Sequence, residues 1–464
     1  MAKPPARDLD RIKTGAMERR FSLLKAGVVA SSRLALSSAG SVFAPAAERD
    51  QRRRRSLQLQ SEYFVDEIGK LKGSVVKIGQ MMALYGEHLL PAEMTQALHR
   101  LHDSTAALAW PAMDSILREE LKARYEELDI ETIPLGAASL GQVHQARRKR
   151  DGRELCLKIQ YPGVAEAIDS DLDLVTHLMR LSQLLPQTRE FEDWLQEVRL
   201  MMHREVNYPL ERETTRRFHD LLAADRRYIV PEIFPEYCTE HVLCTSYEPG
   251  VSVNDALVRA LPQERRDRLG MAALDLCAHE IFTWGEMQTD PNFGNYLIRI
   301  DATGDQDRIV CLDFGAVRDF PEPLIRLARG LTLAAFNHDM PAMLRAMQGY
   351  EFFDQLSPST RESLGELLFL AIEPFADPST IDARYLDEQG HYCWARSQLH
   401  SRAMARAART ATRFEFTAPP KELMFVSRKL MGAYTFMTVL DAHTQARPLL
   451  DRHLQRYLQQ QTQG

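Results

Sequence analysis

The sequence predicts an α+β chain of two lobes, one rich in strands and one predominantly helical, preceded by a helical extension. Three observations carry that reading. Apolar residues recur at helical spacing from Ser56 to about Gly86, and alternation with a period of two begins at Gly141. Helical patterning then returns at Val253 and runs to the C-terminus, interrupted by one strand–turn–strand stretch between Asp290 and Asp313. The expected limits are a basic segment over 1–56, the extension over 57–133, a strand-rich lobe with helical insertions over 134–250, and a helical lobe over 251–464.

In the extension, Phe64, Ile68, Leu71, Val75, Ile78 and Met82 follow at steps of four and three, which is one face of a helix. Lys77 and Gln80 share a different face. Pro91 to Leu101 and Pro111 to Glu127 read as helices whose proline suits the first turn. Gly141 to Ala146 and Leu155 to Gln160 read as a hairpin turning at Asp151 and Gly152. In its second strand Leu155, Leu157 and Ile159 face one way, and Cys156 and Lys158 the other. Helices follow from Val164 to Leu185 and from Phe191 to Leu222. His241 to Ser246 is a strand, and Glu248-Pro249-Gly250 a turn. Tyr296 to Ile300 and Ile309 to Leu312 are strands around a polar turn, a hairpin that sets Asn295 and Asp313 side by side. The last helices run from about Pro341 to the end.

Composition bounds the class. The chain has 464 residues, 45% hydrophobic, 26% charged and 8% aromatic, enough for a sizeable core and unlike a disordered polymer. Six cysteines form no CxxC pair, which argues against a zinc framework or disulfide scaffold and for a reducing compartment. No run of 18 uncharged apolar residues exists, so no membrane-spanning helix is expected. Residues 1–56 carry 13 Lys or Arg and 5 acids, a net of +8 against −6 for the whole chain. A basic head on an acidic body is expected either to meet an anionic membrane surface or to form a solvated tail. No aromatics interleave Arg52 to Arg55, so nucleic acid is not expected as a partner.

The chemistry concentrates in QTDPNFGNYL and CLDFGAVRDF. Asp290, five positions before Asn295, and Asp313, which opens a DFG triplet, follow the pattern by which protein-kinase folds orient a nucleophile and hold magnesium on ATP phosphates. Lys158, mid-strand and upstream, suits the phosphates if a carboxylate holds it, and Glu205 and Glu211 are the candidates. The turn Gly136, Ala137, Ala138, Ser139, Leu140, Gly141 offers a close backbone approach to phosphate, though it is neither a P-loop nor a GxGxxG loop.

Lys77-Ile78-Gly79-Gln80, the GAASLGQVH stretch, Lys158, Glu205-Val206-Asn207, the Asp290/Asn295/Asp313 set and PPKELMFVSRKLMGAY occur in the order seen in one family. Over roughly residues 60 to 440 the chain resembles the UbiB family, the AarF-domain or ADCK-type atypical kinases. The resemblance implies a bilobal protein-kinase-like fold with a helical N-terminal extension and a predominantly helical C-lobe. It also implies ATP and Mg2+ as cofactors and support of ubiquinone or related isoprenoid lipid biosynthesis. By the same resemblance Asp290, Lys158 and Glu211 are the catalytic set, with Glu211 pairing Lys158, and Asn295 and Asp313 hold metal. Gly136, Ala137, Ala138, Ser139, Gly141, Lys158 and Glu248 form the nucleotide set. Lys77, Gly79, Gln80, Glu205 and Asn207 regulate, the KxGQ helix covering the place where a peptide substrate would bind.

Three departures from the family pattern stand out. Asn207 replaces the second ExD carboxylate, Gly136 replaces the first alanine of the loop and permits a closer phosphate approach, and QTDP stands where many bacterial members have HADP. The expected activity is an ATPase or phosphotransferase. A lipid-binding scaffold or chaperone is the alternative, and a protein kinase the further one. Expected partners are ATP, an isoprenoid or quinone-pathway lipid, an anionic membrane and ubiquinone-biosynthesis proteins. The expected location is cytoplasmic and peripheral on an inner membrane, with mitochondrial as the alternative, because Asp8 and Asp10 are unusual in a mitochondrial presequence.

Overall fold

The computed structural model describes residues 55–462, except 56, 60, 64, 67–68, 70–72, 87–89, 104–106, 182–187, 291, 305 and 412–419. The basic head before residue 55, together with Phe64, Ile68, Leu71 and Pro291, lies outside the described residues. The chain divides into two compact units, residues 1–213 with 232–247, and residues 214–231 with 248–464.

The first unit joins helices to an antiparallel sheet. Helix α1 (Ser74–Tyr85) opens after Gly73, whose φ of 65° breaks the continuous helix expected from Ser56. Val75, Ile78 and Met82 are fully buried, so the predicted apolar stripe holds where it is described. α2 (Ala92–His99) starts at Pro91, and α3 (Trp110–Leu121) carries Pro111 in its first turn. The sheet has the order β1 (Leu128–Ile130), β3 (Gly141–Arg148), β4 (Glu154–Gln160), β6 (Val242–Ser246), with β2 (Gly136–Ala137) also pairing β3. The β3–β4 turn falls at Asp151 and Gly152, where Gly152 takes φ 73°. Leu155, Leu157 and Ile159 are each 0% exposed, which is the predicted inward face.

α4 (Val164–Leu181) packs with α1 and with α5 (Arg189–Glu205). The helical stretch expected from Phe191 to Leu222 is two helices. α6 (Tyr208–Leu222) starts afresh because Asn207 Oδ1 accepts the amide of Leu210 at 3.0 Å and Pro209 fits a first turn.

A buried polar chain explains part of the GQVH stretch. Gln142 Oε1 accepts from the Leu108 amide at 2.9 Å, and Gln142 Nε2 donates to Leu108 O at 3.3 Å. The same Nε2 donates to His144 Nε2 at 2.8 Å, so His144 carries its proton on Nδ1 and donates to Glu131 O at 2.7 Å. Alternation puts residues 142 and 144 on one face of β3, so together they bind two separate backbone segments to the sheet. Burial pushes the His144 imidazole below its ordinary range. With the folded pKa depressed, its stabilisation is full above the unfolded value near 6.5 and is lost as pH falls through the folded value. Melting temperature is therefore expected to fall on acidification below about pH 6.5, with a shallower slope in His144→Leu. Equal slopes would rule out His144 as the titrating group.

The second unit is mostly helical. Its four-stranded sheet runs β5 (Tyr228–Ile229), β10 (Arg308–Cys311), β9 (Tyr296–Arg299), β7 (Val251–Ser252). The β9–β10 hairpin is the predicted one, with Cys311 opposite Tyr296. The parallel pairing of β5 was not expected, because a two-residue strand has no readable alternation. A second antiparallel pair, β8 (Glu286–Gln288) with β11 (Val317–Asp319), flanks the Asp290 and Asp313 segments. Around these pack α7 (Gln263–His279), α8 (Glu322–Phe336), α9 (Met340–Met347), α10 (Pro358–Ile372), α11 (Leu399–Ala411), α12 (Lys421–Leu440) and α13 (Arg447–Thr462). Among the described residues no helix is long and apolar enough to cross a membrane.

Candidate functional site

In the first unit the geometry resolves which carboxylate serves which lysine. Lys158 stands mid-β4, opposite Val143 and Leu243, and its Nζ meets both oxygens of Glu211 at 2.7 and 2.8 Å. Glu211 is 3% exposed on α6, so both its oxygens are drawn to one cation in a shielded setting. The ammonium also lies 5.3 Å from the Tyr208 ring centroid. Gln160 Nε2 donates to Val206 O at 3.0 Å, which ties β4 to the α5–α6 junction and so sets Glu211 against Lys158.

Glu205 goes to Lys77 instead, at 2.5 Å. The side chains are 21% and 37% exposed, so the pair contributes only about 0.2–1 kcal/mol and is easily opened. Gln80 Nε2 donates to Leu101 O at 2.9 Å, and its Oε1 accepts from Ser139 Oγ at 3.3 Å, joining α1 to the alanine-rich loop. Gly79 is buried in the same helix. Asn207 contacts neither lysine in this way. Its amide oxygen caps α6, a duty an aspartate could also perform.

The loop from Gly136 to Gly141 is built on β2 and β3, with Ala138 N donating to Gly141 O at 2.8 Å. Its two glycines differ. A Cβ at Gly136 would meet nothing within 4 Å, and its φ is not in the left-handed region, so the conformational freedom expected to matter there is not used. A Cβ at Gly141 would lie 2.5 Å from Ile159 O and 3.0 Å from Tyr208 Oη. Gly141→Ala is therefore expected to cost about 1–3 kcal/mol by overpacking, and Gly136→Ala to stay within about 0.5 kcal/mol. Denaturant unfolding of both variants checks the contrast.

In the second unit Asp290, Asn295 and Asp313 come together around Gln288. Asn295 Nδ2 donates to Asp290 Oδ2 at 2.9 Å, and the β9–β10 register continues as Leu312 N donates to Asn295 O at 2.9 Å. Gln288, 3% exposed, accepts the Asp290 amide at 3.1 Å and donates to the Asp313 carbonyl at 2.6 Å. One side chain thus fixes both acidic segments. The residue reading missed this duty although Gln288 begins the QTDP departure. Its signal was position, two residues before Asp290 on a short strand. Thr289 adds a donation to Ala316 O at 2.8 Å, and the Asp313 Oδ1 accepts the Gly315 amide at 2.9 Å. Phe314 packs on Phe218 at 4.8 Å between centroids, and Phe218 on Trp284 at 5.5 Å. Glu248 is held by Arg299 at 2.6 Å.

Beneath this loop Glu280 and Lys429 form an ion pair at 2.5 Å, 2% and 8% exposed. Burial opposes the Lys429 charge, but the Glu280 carboxylate holds the ammonium well above its ordinary range. Lys429 belongs to the PPKELMFVSRKLMGAY stretch, so this buried duty gives that stretch a physical meaning.

In the second unit Asn295 and Asp313 offer an amide and a carboxylate that fit a hard cation, with the Asp290 carboxylate beside them, and in the first unit Lys158 offers an ammonium suited to phosphate. A sheet-bearing lobe with a carboxylate-held lysine, and a helical lobe with DxxxxN and DFG, define a kinase-like protein. Residues 100–347 match the family model of the ABC1 atypical kinase-like domain. The rat mitochondrial atypical kinase COQ8B is 30% identical over 403 residues, covering 86% of this chain and 73% of that protein. The Saccharomyces cerevisiae mitochondrial atypical kinase COQ8 is 32% identical over 322 residues, covering 67% of this chain and 62% of that protein. The solved Rv3197–erythromycin complex from Mycobacterium tuberculosis superposes with a TM-score of 0.54 over 87% of this chain and 96% of that one. At 22% identity this is a likeness of fold. The chain belongs to the ABC1, or UbiB, family of atypical kinases.

Proposed function

We propose that this chain binds ATP with Mg2+ and acts as an ATPase or small-molecule phosphotransferase supporting ubiquinone or related isoprenoid lipid biosynthesis. The observation that carries the reading is the two-oxygen grip of buried Glu211 on Lys158, which holds a cation on a strand for phosphate. Lys158 contacts the phosphates, and the backbone of residues 136–141 lies against them. Asn295 and Asp313 hold magnesium, which when bound neutralises phosphate charge. Asp290 orients the attacking hydroxyl or water. Glu248, set in place by Arg299, belongs to the nucleotide set.

Lys77, Gly79, Gln80 and Glu205 form the regulatory helix contact. Because the Lys77–Glu205 pair is weak, that contact can open at little cost while buried Val75, Ile78 and Met82 keep α1 seated, and a seated α1 disfavours a peptide substrate. The relatives are named mitochondrial, which supports a mitochondrial setting over the cytoplasmic one. The basic head supports an anionic membrane surface as partner.

The test is phosphate release and melting temperature with Mg–ATP, with and without anionic liposomes. Wild type is expected to melt higher with Mg–ATP and to release phosphate faster on liposomes, and Asp313→Asn to lose the nucleotide-dependent rise. No rise in wild type removes ATP binding from the reading. Liposome binding without phosphate release would favour the scaffold, and γ-phosphate labelling of a peptide the protein kinase.

A further inference from the structure

Away from the nucleotide residues, the second unit gathers a thiol, an imidazole and a carboxylate at one corner. β12 (Tyr392–Cys393) pairs with β13 (His443–Thr444), and the register sets Cys393 directly opposite His443. Asp387 reaches the same point from the turn before β12. Its Oδ1 accepts the amides of Gln389 at 2.9 Å and His391 at 2.8 Å, and the turn closes through Gly390 at φ 79°. That fixes Oδ2 toward His443 Nδ1 at 3.2 Å, with His391 Nδ1 at 3.5 Å. The donor atoms of Asp387, Cys393 and His443 all lie within 4.8 Å of one another. Asp267 anchors the site from behind by accepting the His443 amide at 2.6 Å.

We propose that Asp387, Cys393 and His443 bind one divalent zinc-type transition metal, with His391 beside the fourth position. A thiolate, an imidazole and a carboxylate are ligands zinc takes in tetrahedral sites. Thiolate and carboxylate together balance the dication, and the Cys393 proton leaves to solvent on binding. Asp387 is 20% and His391 33% exposed, which provides a path for entry. The metal would clamp the 387–393 turn to the strand that follows α12. A second trio, Asp275, His279 and His453, lacks a thiolate, and its carboxylate is already engaged by Arg227 at 2.5 Å and His453 at 2.8 Å.

The test uses the full chain, free of any histidine tag and dialysed against chelator, titrated with Co2+ and then Zn2+. One cobalt per chain is expected, with a thiolate-to-cobalt charge-transfer band, tetrahedral d–d absorption and displacement by zinc. One proton should be released per metal. Cys393→Ser should abolish the band, and Asp387→Asn and His443→Gln should weaken affinity at least about tenfold. Absence of the band in wild type overturns the proposal on its own, whatever the variants do. Binding that survives unchanged in Cys393→Ser or His443→Gln also overturns it.

Discussion

Asp290→Asn is expected to lower phosphate release roughly 10²–10⁴-fold, the usual contribution of a positioned acid–base group. That is about 3–5 kcal/mol of barrier. The substitution keeps the shape of the side chain and removes its charge and one acceptor. Asp290 Oδ2 is where Asn295 Nδ2 donates, and Oδ1 takes the Asn292 amide at 3.3 Å, so the carboxylate is oriented before any substrate arrives. The backbone remains held by Gln288, so the fold should survive. The Mg–ATP-dependent rise in melting temperature should persist in Asp290→Asn and disappear in Asp313→Asn, separating turnover from binding. Turnover within threefold of wild type would show that Asp290 does not orient the nucleophile.

Lys429→Met is expected to cost about 3–5 kcal/mol, because it strands the Glu280 charge in the core. Such a loss is a large part of an ordinary domain's stability of about 5–15 kcal/mol. The pair is deeply buried, at 2% and 8% exposure, so solvent screening gives little relief. The Glu280→Leu, Lys429→Met double variant should regain most of the loss, since replacing both charges by apolar groups of similar volume is near neutral. Urea unfolding of the two single variants and the double completes the cycle. A single variant that unfolds at the wild-type midpoint would show that the pair is not energetically coupled. Because Gln288 N also points at Glu280 Oε1, at 3.4 Å, the single variants should loosen the Asp290 loop as well, seen as faster amide exchange at residues 288–290.

Local pattern was readable where the physics is local. The inward face of β4, the Asp151–Gly152 turn and the β9–β10 hairpin follow from a period of two and from turn chemistry within a few residues. The order of Lys158, Asp290, Asn295 and Asp313 was visible for the same reason, being a spacing along the chain. The break at Gly73 and the restart of the helix at Asn207 were not. Apolar periodicity ran through both positions, and the evidence lay in one glycine φ and one amide cap. The two-residue strands β5, β12 and β13 were likewise invisible, because two residues show no period.

Residue types and their spacing were enough to nominate the chemistry: a strand lysine, two carboxylate candidates, an Asp to orient a nucleophile, and an Asn and an Asp for metal. Partner choice needed the tertiary structure. Glu205 lies 128 residues from Lys77, and Glu211 lies 53 from Lys158; residue type and spacing leave both glutamates open as partner to Lys158, and only the family resemblance pointed to Glu211. The restart of the helix at Asn207 separates the two carboxylates onto α5 and α6, and packing delivers each to a different cation. Gln288 joining Asp290 to Asp313, Lys429 neutralising Glu280, and Cys393 meeting His443 across two short strands arise in the same way. Periodicity encodes which way a side chain faces. Which distant group it meets is settled only when burial and the pairing of charge and hydrogen bonds are satisfied together.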